Sequence, residues 1–151
     1  MKIFLVLLLI IVTDLAFAEL FKPNPNLKPE DVISIQLSAL KKNNYPYENA
    51  GIDQTWEFAH PSNKISTGPL AKFTLMMYST LYSIMLEHKD HKIIPLKQND
   101  NIAYFFVELE DREGNIYKFQ WIVEKVNNLG LFENCWMTSS VSKPILLKKS
   151  V

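Results

Sequence analysis

Two neighbouring stretches of the chain alternate between apolar and polar residues, and this alternation limits the possible folds more than any other feature. In the first stretch the alternate positions are all apolar: Ala103, Phe105, Val107 and Leu109. In the second stretch the corresponding residues are Tyr117, Phe119, Trp121 and Val123. A period of two is typical of a strand with one buried face, and the segment 111–115 between the stretches contains a glycine that suits a turn. The sequence therefore predicts a hairpin that buries both sets on one face.

The opposite face of this hairpin carries the remaining alternate residues, of which the two acids are expected to be solvated. These residues are Tyr104, Phe106, Glu108, Lys118, Gln120, Ile122 and Glu124. The period of two already begins at Lys92. After a second turn at 127–130, residues 131–140 are predicted to form the last strand.

Helical patterns precede the strands. The first helix is predicted to begin at Pro29, because proline suits the first helical position and the acids after it suit the positive end of the helix dipole. Its apolar stripe consists of Ile33, Leu37 and Leu40. A second helix is predicted at 52–59 and a third after Pro69. Residues 62–67 are predicted to be loop, and residues 79–86 suit either a helix or a strand.

Three helices followed by antiparallel strands indicate an α+β fold, with the helices packed on one face of a curved antiparallel sheet. The domain is expected to span residues 29–141, after an extended leader at 19–28 and before a C-terminal tail at 142–151. A domain of this size buries enough surface to form a core without disulfides. None can form within the chain, because Cys135 is its single cysteine.

The first 18 residues have the form of a secretory signal peptide. Lys2 is followed by an apolar run at 3–12, which is shorter than the roughly 20 residues of a membrane-spanning helix. Small residues then precede an expected cleavage site before Glu19. We therefore expect the mature protein to be secreted or to remain in the endomembrane lumen, without a membrane anchor. In an alga with a complex plastid, the same signal would begin a plastid address.

Net charge and composition exclude several classes of function. The formal net charge is zero, so the chain has no electrostatic reason to bind nucleic acid or an anionic membrane. The chain has four glycines and no Gly-rich phosphate loop, and no cofactor motif is recognisable. We therefore expect no cofactor.

Four strings of residues resemble one family. They are Pro29-Glu30-Asp31-Val32-Ile33, Trp56-Glu57-Phe58-Ala59-His60-Pro61-Ser62-Asn63, Thr67-Gly68-Pro69-Leu70 and Cys135-Trp136-Met137. In these strings the chain resembles domain of unknown function 4864, an uncharacterised family of bacteria, algae and plants, over residues 29–141. The resemblance implies the cystatin-like cone fold of nuclear transport factor 2 and ketosteroid isomerase, in which a sheet curls around a helix. It implies no activity.

Enzymes with this cone fold use a carboxylate base and hydrogen-bond donors inside the cone. Asp53 is the acid nearest to an apolar helix face, but its place at the start of the second helix predicts an interaction with the helix dipole. His60 and Asn63 have two possible roles: to contact a ligand at the mouth of the cone, or to fix the loop by bonding to the backbone. We favour the structural role for both.

Two further groups have reactive chemistry. His88, Asp90 and His91 are metal-ligand types, but their charged neighbours predict a solvated turn rather than a metal site. Cys135 is expected to be a buried, unreactive thiol.

The aromatic residues would converge inside a cone. Core packing explains most of them, whereas a partly open cone would give an apolar pocket with few polar groups. The candidate ligand-binding residues of that pocket are Trp56, His60, Asn63, Tyr82, Trp121 and Trp136.

The sequence thus favours a non-enzymatic module that binds an apolar small molecule or a partner protein. The alternative is a small enzyme of the isomerase or hydratase kind that acts in the same cavity. A third class is an assembly protein that uses the outer sheet face around Tyr104, Phe106 and Ile122. A buried acid, or His60, inside an open cavity would favour the enzyme.

The export hypothesis predicts the first residue of the mature protein. N-terminal sequencing of the protein from its native source should start at Glu19 or within a residue or two of it. A mature form that retains residues 1–18 would contradict the hypothesis.

Overall fold

The computed structural model describes residues 19–151, so the predicted signal peptide lies outside the described residues. The fold is α+β, as predicted. The helices are α1 (Pro29–Lys41), α2 (Ala50–Glu57), α3 (Pro61–Thr67) and α4 (Leu70–Met77), followed by a short 3-10 helix at Ser83–Met85. The strands are β1 (Asp90–Gln98), β2 (Ile102–Glu110), β3 (Ile116–Lys125), β4 (Trp136–Val141) and β5 (Ile145–Lys148).

The strands form one curved, open antiparallel sheet. Its order is β1-β2-β3-β4, and β5 also pairs with β3. Strands β4 and β5 share the same edge of β3, because β4 pairs with residues 121–125 and β5 with residues 116–118. Strand β3 is therefore the centre of the sheet.

The register of β2 and β3 confirms the predicted hairpin. Phe105 lies opposite Trp121, and Val107 lies opposite Phe119. All four side chains are buried in the main core, which also contains the apolar faces of the helices. The predicted alternation holds along both strands, and it places the helices on the face that carries these residues.

Helix α1 begins at Pro29, as predicted. The Asp31 carboxylate accepts a hydrogen bond from the Lys28 backbone N–H at 2.8 Å, which satisfies a donor at the start of the helix. The predicted stripe of Ile33, Leu37 and Leu40 is fully buried. Burial of such side chains stabilises the fold by about 1.5–3 kcal/mol each, so the stripe fixes the rotation of α1 on the sheet.

Helices α1 and α2 lie in close contact at Gly51. A Cβ atom at this position would collide with the Ala39 carbonyl oxygen and would lie 2.8 Å from Asn43 Cα. The Asn43 side chain caps the contact, since its Oδ1 accepts the Ile52 N–H at 3.0 Å. This approach brings Gln36 of α1 to the carbonyl of Thr55 in α2.

The prediction of three helices is wrong, because residues 62–67, predicted to be loop, belong to helix α3. Pro61 occupies its first position, and His60 Nδ1 accepts the Ser62 N–H at 3.1 Å. No residue of α3 is buried. A helix of this length without a buried stripe leaves no apolar period for sequence analysis to detect.

Three boundaries in the second half also differ from the prediction. The last predicted strand, 131–140, begins only at Trp136, and Leu131 lies exposed in the preceding turn. Strand β1 begins at Asp90, within the region predicted to be a turn. The C-terminal tail at 142–151 contributes strand β5.

No helix in residues 19–151 has the length and hydropathy needed to cross a membrane.

Neighbouring phenylalanines on β2 test the orientation of the sheet. Phe105→Ala should lower the free energy of unfolding by about 3–5 kcal/mol, because it opens a cavity in the core. The matched control Phe106→Ala changes the half-buried outer face and should cost about 1 kcal/mol. Denaturant unfolding measures both values, and equal losses would contradict the assigned faces.

Candidate functional site

A cavity of about 90 Å³ lies between the four α-helices and strands β3 and β4. Most of its wall is apolar. The apolar lining residues are Leu40, Ala59, Phe73, Met76, Met77, Met85, Trp121 and Val141. The polar lining residues are Gln36, Thr55, Asn63, Thr67, Tyr82 and Thr138. An apolar space with a few convergent polar groups is the usual form of a small-molecule site.

A chain of buried hydrogen bonds crosses one wall of the cavity. The Trp121 indole N–H donates to Thr138 Oγ1 at 3.0 Å. Thr138 in turn donates to Gln36 Oε1 at 2.6 Å, and Gln36 Nε2 donates to the Thr55 carbonyl at 3.0 Å. The chain links strands β3 and β4 to helices α1 and α2, so the cavity wall is fixed by polar contacts as well as by packing.

Neutral donors remain on this wall. A side-chain amide has two N–H groups; Gln36 uses one for Thr55, and Asn63 uses one for the Thr138 carbonyl at 3.3 Å. The Tyr82 hydroxyl donates to the Val141 carbonyl over a long 3.4 Å. Gln36 and Asn63 can therefore each donate a second N–H to an acceptor atom placed in the cavity.

Among the described residues, those lining the cavity include no carboxylate, imidazole, thiol or ammonium group. Tyr82 is the one lining residue that titrates, and burial raises its pKa above the ordinary value, so it stays a neutral donor at physiological pH. The cavity can bind by packing and neutral hydrogen bonds, but it holds no group poised to move a proton.

Three of the six predicted ligand-binding residues meet at the cavity: Asn63, Tyr82 and Trp121. The other three lie elsewhere. Trp56 packs on Phe73 with ring centroids 5.1 Å apart and carries the Lys64 ammonium over its ring. Trp136 is buried in the core with Lys125 over its ring.

His60 lies outside the cavity and caps helix α3. Its Nδ1 lies 2.8 Å from Ser62 Oγ, and its backbone N–H donates to the Thr138 carbonyl at 2.8 Å. Partial burial lowers the pKa of His60 below its ordinary value. These contacts agree with the structural role favoured from the sequence.

Cys135 is buried, and burial raises the pKa of its thiol, as suits an unreactive residue. Asp53 lies in the first turn of α2, as predicted, and accepts a hydrogen bond from the Tyr47 hydroxyl at 3.1 Å.

The predicted solvated turn around His88 is wrong. His88 is buried, and its Nδ1 lies 2.7 Å from the Met85 carbonyl oxygen, which can only accept, so Nδ1 carries the proton. Its Nε2 then accepts from His91 Nδ1 at 2.7 Å. This pair connects the 3-10 helix to β1. No cluster of three possible metal ligands occurs in the described part of the chain.

The outer sheet face is less apolar than its sequence indicates. Lys97 Nζ lies 4.6 Å from the Tyr104 ring centroid, and Lys118 Nζ lies 4.7 Å from that of Phe106. These cation–π contacts cover the aromatic rings that an assembly surface would need.

A larger open groove of about 390 Å³ lies where the leader folds against α1 and α2. The leader is held there by Gln54, which exchanges two hydrogen bonds with the backbone of Phe21, at 2.8 and 3.0 Å. Phe21 and Tyr45 line the groove but are largely exposed. The smaller cavity is more enclosed than this groove and is therefore the better candidate site.

Sequence analysis missed four polar residues of the cavity wall: Gln36, Thr55, Thr67 and Thr138. Gln36 falls on the buried stripe of α1 between Ile33 and Leu37, and a polar residue at such a position was a usable signal. The sequence around Thr138 gives no such signal, because the hydrogen-bond partners of Thr138 are distant in sequence.

No family model, curated protein or solved structure matches the chain. The resemblance to domain of unknown function 4864 therefore stays a prediction from the sequence.

The buried histidine predicts a pH dependence of stability. Burial lowers the pKa of His88 from 6.5 to about 4, despite the opposing hydrogen bond to Met85; His91 and Lys41 lower it further, and Asp90 raises it. A depressed folded-state pKa means that the unfolded state takes up the proton first. The free energy of unfolding should therefore fall by roughly 2–3 kcal/mol as the pH drops from 6.5 towards 4.

Denaturant unfolding at pH 7 and pH 5 of the wild type and His88→Gln measures this contribution, and the variant should lose less stability over the interval. His60→Gln is the control. His60 is only partly buried, so its removal should change the pH dependence of the free energy of unfolding less. Parallel pH profiles for wild type and His88→Gln would contradict the assignment.

Proposed function

We propose that the protein is a non-enzymatic binding module that holds one small, neutral, mostly apolar molecule with a hydrogen-bond acceptor. The observation that carries this proposal is the wall of the cavity, where the amide groups of Gln36 and Asn63 line a largely apolar space. An acceptor such as a carbonyl oxygen would use donors that are only partly engaged, and the apolar remainder of the molecule would contact Phe73 and Met77.

The volume restricts the ligand. A cavity of about 90 Å³ is far below the roughly 300–1,000 Å³ of pockets for drug-sized molecules. It exceeds the roughly 10–15 Å³ that one water needs. A molecule of a few heavy atoms is the expected size, with a dissociation constant of about 1 mM, since so few atoms supply little binding energy.

The enzyme alternative has less support. Proton abstraction next to a carbonyl needs a base within about 2.6–3.2 Å of the substrate proton. His60 and Asp53 do not line the cavity, and the described lining residues supply no other base. The cavity thus has the donors that stabilise an oxyanion without the group that would create one.

The wider setting of this function is also proposed. A curved sheet with helices on one face supports the proposed cone fold. The proposed likeness to domain of unknown function 4864 is supported only by the strings of residues that resemble that family, such as 56–63. The sequence signal at 1–18 supports a place in the secretory pathway, with a complex plastid as the alternative. In either place the module would act as a carrier or sensor of its ligand.

Cyclopentanone and its hydrocarbon isostere methylenecyclopentane test the proposal. The reporter is the indole N–H signal of Trp121 in heteronuclear NMR, because this group lies in the cavity wall. Cyclopentanone should shift the signal saturably, and the hydrocarbon should bind more weakly because it offers no acceptor. The variant Ala59→Val should abolish the shift by filling the cavity, whereas Ala71→Val on the exposed side of α4 should not.

The same samples in deuterated water distinguish binding from catalysis. A non-enzymatic module leaves the rate of exchange of the hydrogens next to the cyclopentanone carbonyl unchanged. Exchange accelerated by the wild type but not by Ala59→Val would favour the isomerase-like alternative. Absence of any saturable shift would contradict the cavity as a binding site.

A further inference from the structure

We propose that the outer edge of β5 binds an extended segment of a partner protein, in which apolar residues are flanked by acidic ones. Binding would add this segment as a further strand beside β5. The inference is independent of the cavity, because no residue of β5 lines it.

Strand β5 is held firmly at both ends. Before it, the Ser142 backbone N–H donates to the Gln120 carbonyl at 2.9 Å, and Ser142 Oγ accepts the Gln120 N–H at 2.8 Å. After it, the Ser150 N–H donates to Asn115 Oδ1 at 3.0 Å. A strand fixed in this way loses little conformational entropy when a partner binds.

Only one edge of β5 is used. It pairs with β3 at residues 116–118, and its other edge pairs with no strand within residues 19–151. In an antiparallel ladder, alternate residues direct their N–H and C=O groups to one side, so the free edge presents unpaired groups of both kinds. Such an edge is a template for another strand.

The side chains of β5 are also exposed to solvent. Ile145 is 59% exposed, Leu146 50% and Leu147 46%, and no residue of the strand is buried. Consecutive exposed apolar residues on an edge favour aggregation unless a partner covers them. Their retention on a rigid strand is explained if they contact a partner.

The charges around β5 specify the partner. Lys143 precedes the strand, Lys148 ends it and Lys149 follows, and all three are exposed. None of them forms an ion pair with another residue of the described chain. A segment with acidic residues on both sides of an apolar centre complements this pattern in charge and in hydropathy.

A second copy of the chain fits less well. Antiparallel pairing of two β5 edges about Leu146 would place Lys143 of one copy opposite Lys149 of the other. Like charges directly opposite each other are destabilising in a sheet. In this register the lysines disfavour self-pairing, and they favour an acidic partner.

A short fluorescent peptide with a Val-Ile-Val-Thr centre and Asp-Glu at both ends is the probe. Fluorescence anisotropy with the full mature chain should show saturable binding that weakens with salt. The same peptide with Lys-Lys at both ends should bind at least about tenfold more weakly. Two further peptides carry N-methyl groups at alternate positions, in opposite phase. Only one of them should lose binding, because only one set of N–H groups pairs with β5.

The variant K148E/K149E should lower the affinity for the acidic peptide by about tenfold and raise that for the lysine peptide. The double variant K28E/K72E has the same net charge, changes exposed residues away from β5, and should bind like the wild type. Both variants leave the core untouched, so their folding is not at risk.

Three results would each overturn the proposal: no binding of the acidic peptide, equal binding of both charge types, or equal binding of the two N-methylated peptides. Self-association that Leu146→Glu removes would also overturn it, since the edge would then serve a second copy. None of these results bears on ligand binding in the cavity.

Discussion

The hydroxyl group of Thr138 is the contact on which the arrangement of helices and sheet depends. It accepts from the Trp121 indole and donates to Gln36, so one buried group joins strands β3 and β4 to helix α1. The backbone of the same residue binds the segment between α2 and α3, through the Phe58 carbonyl and the His60 N–H at 2.8 Å each. A buried polar group left without its partner costs about 1–3 kcal/mol, so these bonds penalise any other placement of the helices.

The cavity follows from this arrangement. The hydrogen bond between Gln36 and Thr55 links helices α1 and α2 beside the sheet. Helix α3 contacts the sheet through Asn63, and helix α4 packs in the core through its buried Phe73. The remaining space is lined by apolar side chains and by amides that keep an N–H group to spare. The described residues contain no buried side-chain nitrogen or oxygen without a hydrogen-bond partner, so no polar group of the wall depends on a ligand for its hydrogen bond. The chemistry of the wall suits recognition of a neutral acceptor.

Periodic patterns revealed the parts of this fold that bury a regular face. The alternation around Phe105 and Trp121 predicted the hairpin, and the stripe through Leu37 predicted α1, because in both elements burial follows the period of the backbone. Helix α3 buries no residue, and His88 is buried by partners that the local charges do not indicate. Such features depend on tertiary contacts and leave no periodic signal.

The candidate site was predictable only in part, for the same reason. Trp121, Tyr82 and Asn63 do meet at the cavity, but Trp56 and Trp136 pack away from it. Aromatic residue type predicts burial, whereas the direction of each ring is decided by its neighbours, such as Phe73 beside Trp56. Gln36 shows what sequence can add, since a polar residue on a buried stripe requires a buried partner.

The central claim is that the cavity binds a neutral acceptor, and a crystal structure of the protein equilibrated with cyclopentanone tests it most directly. We expect the ketone in the cavity, with its oxygen within hydrogen-bond distance of Gln36 or Asn63 and its ring against Phe73. A cavity that contains only water, or a ketone bound elsewhere, would contradict the claim.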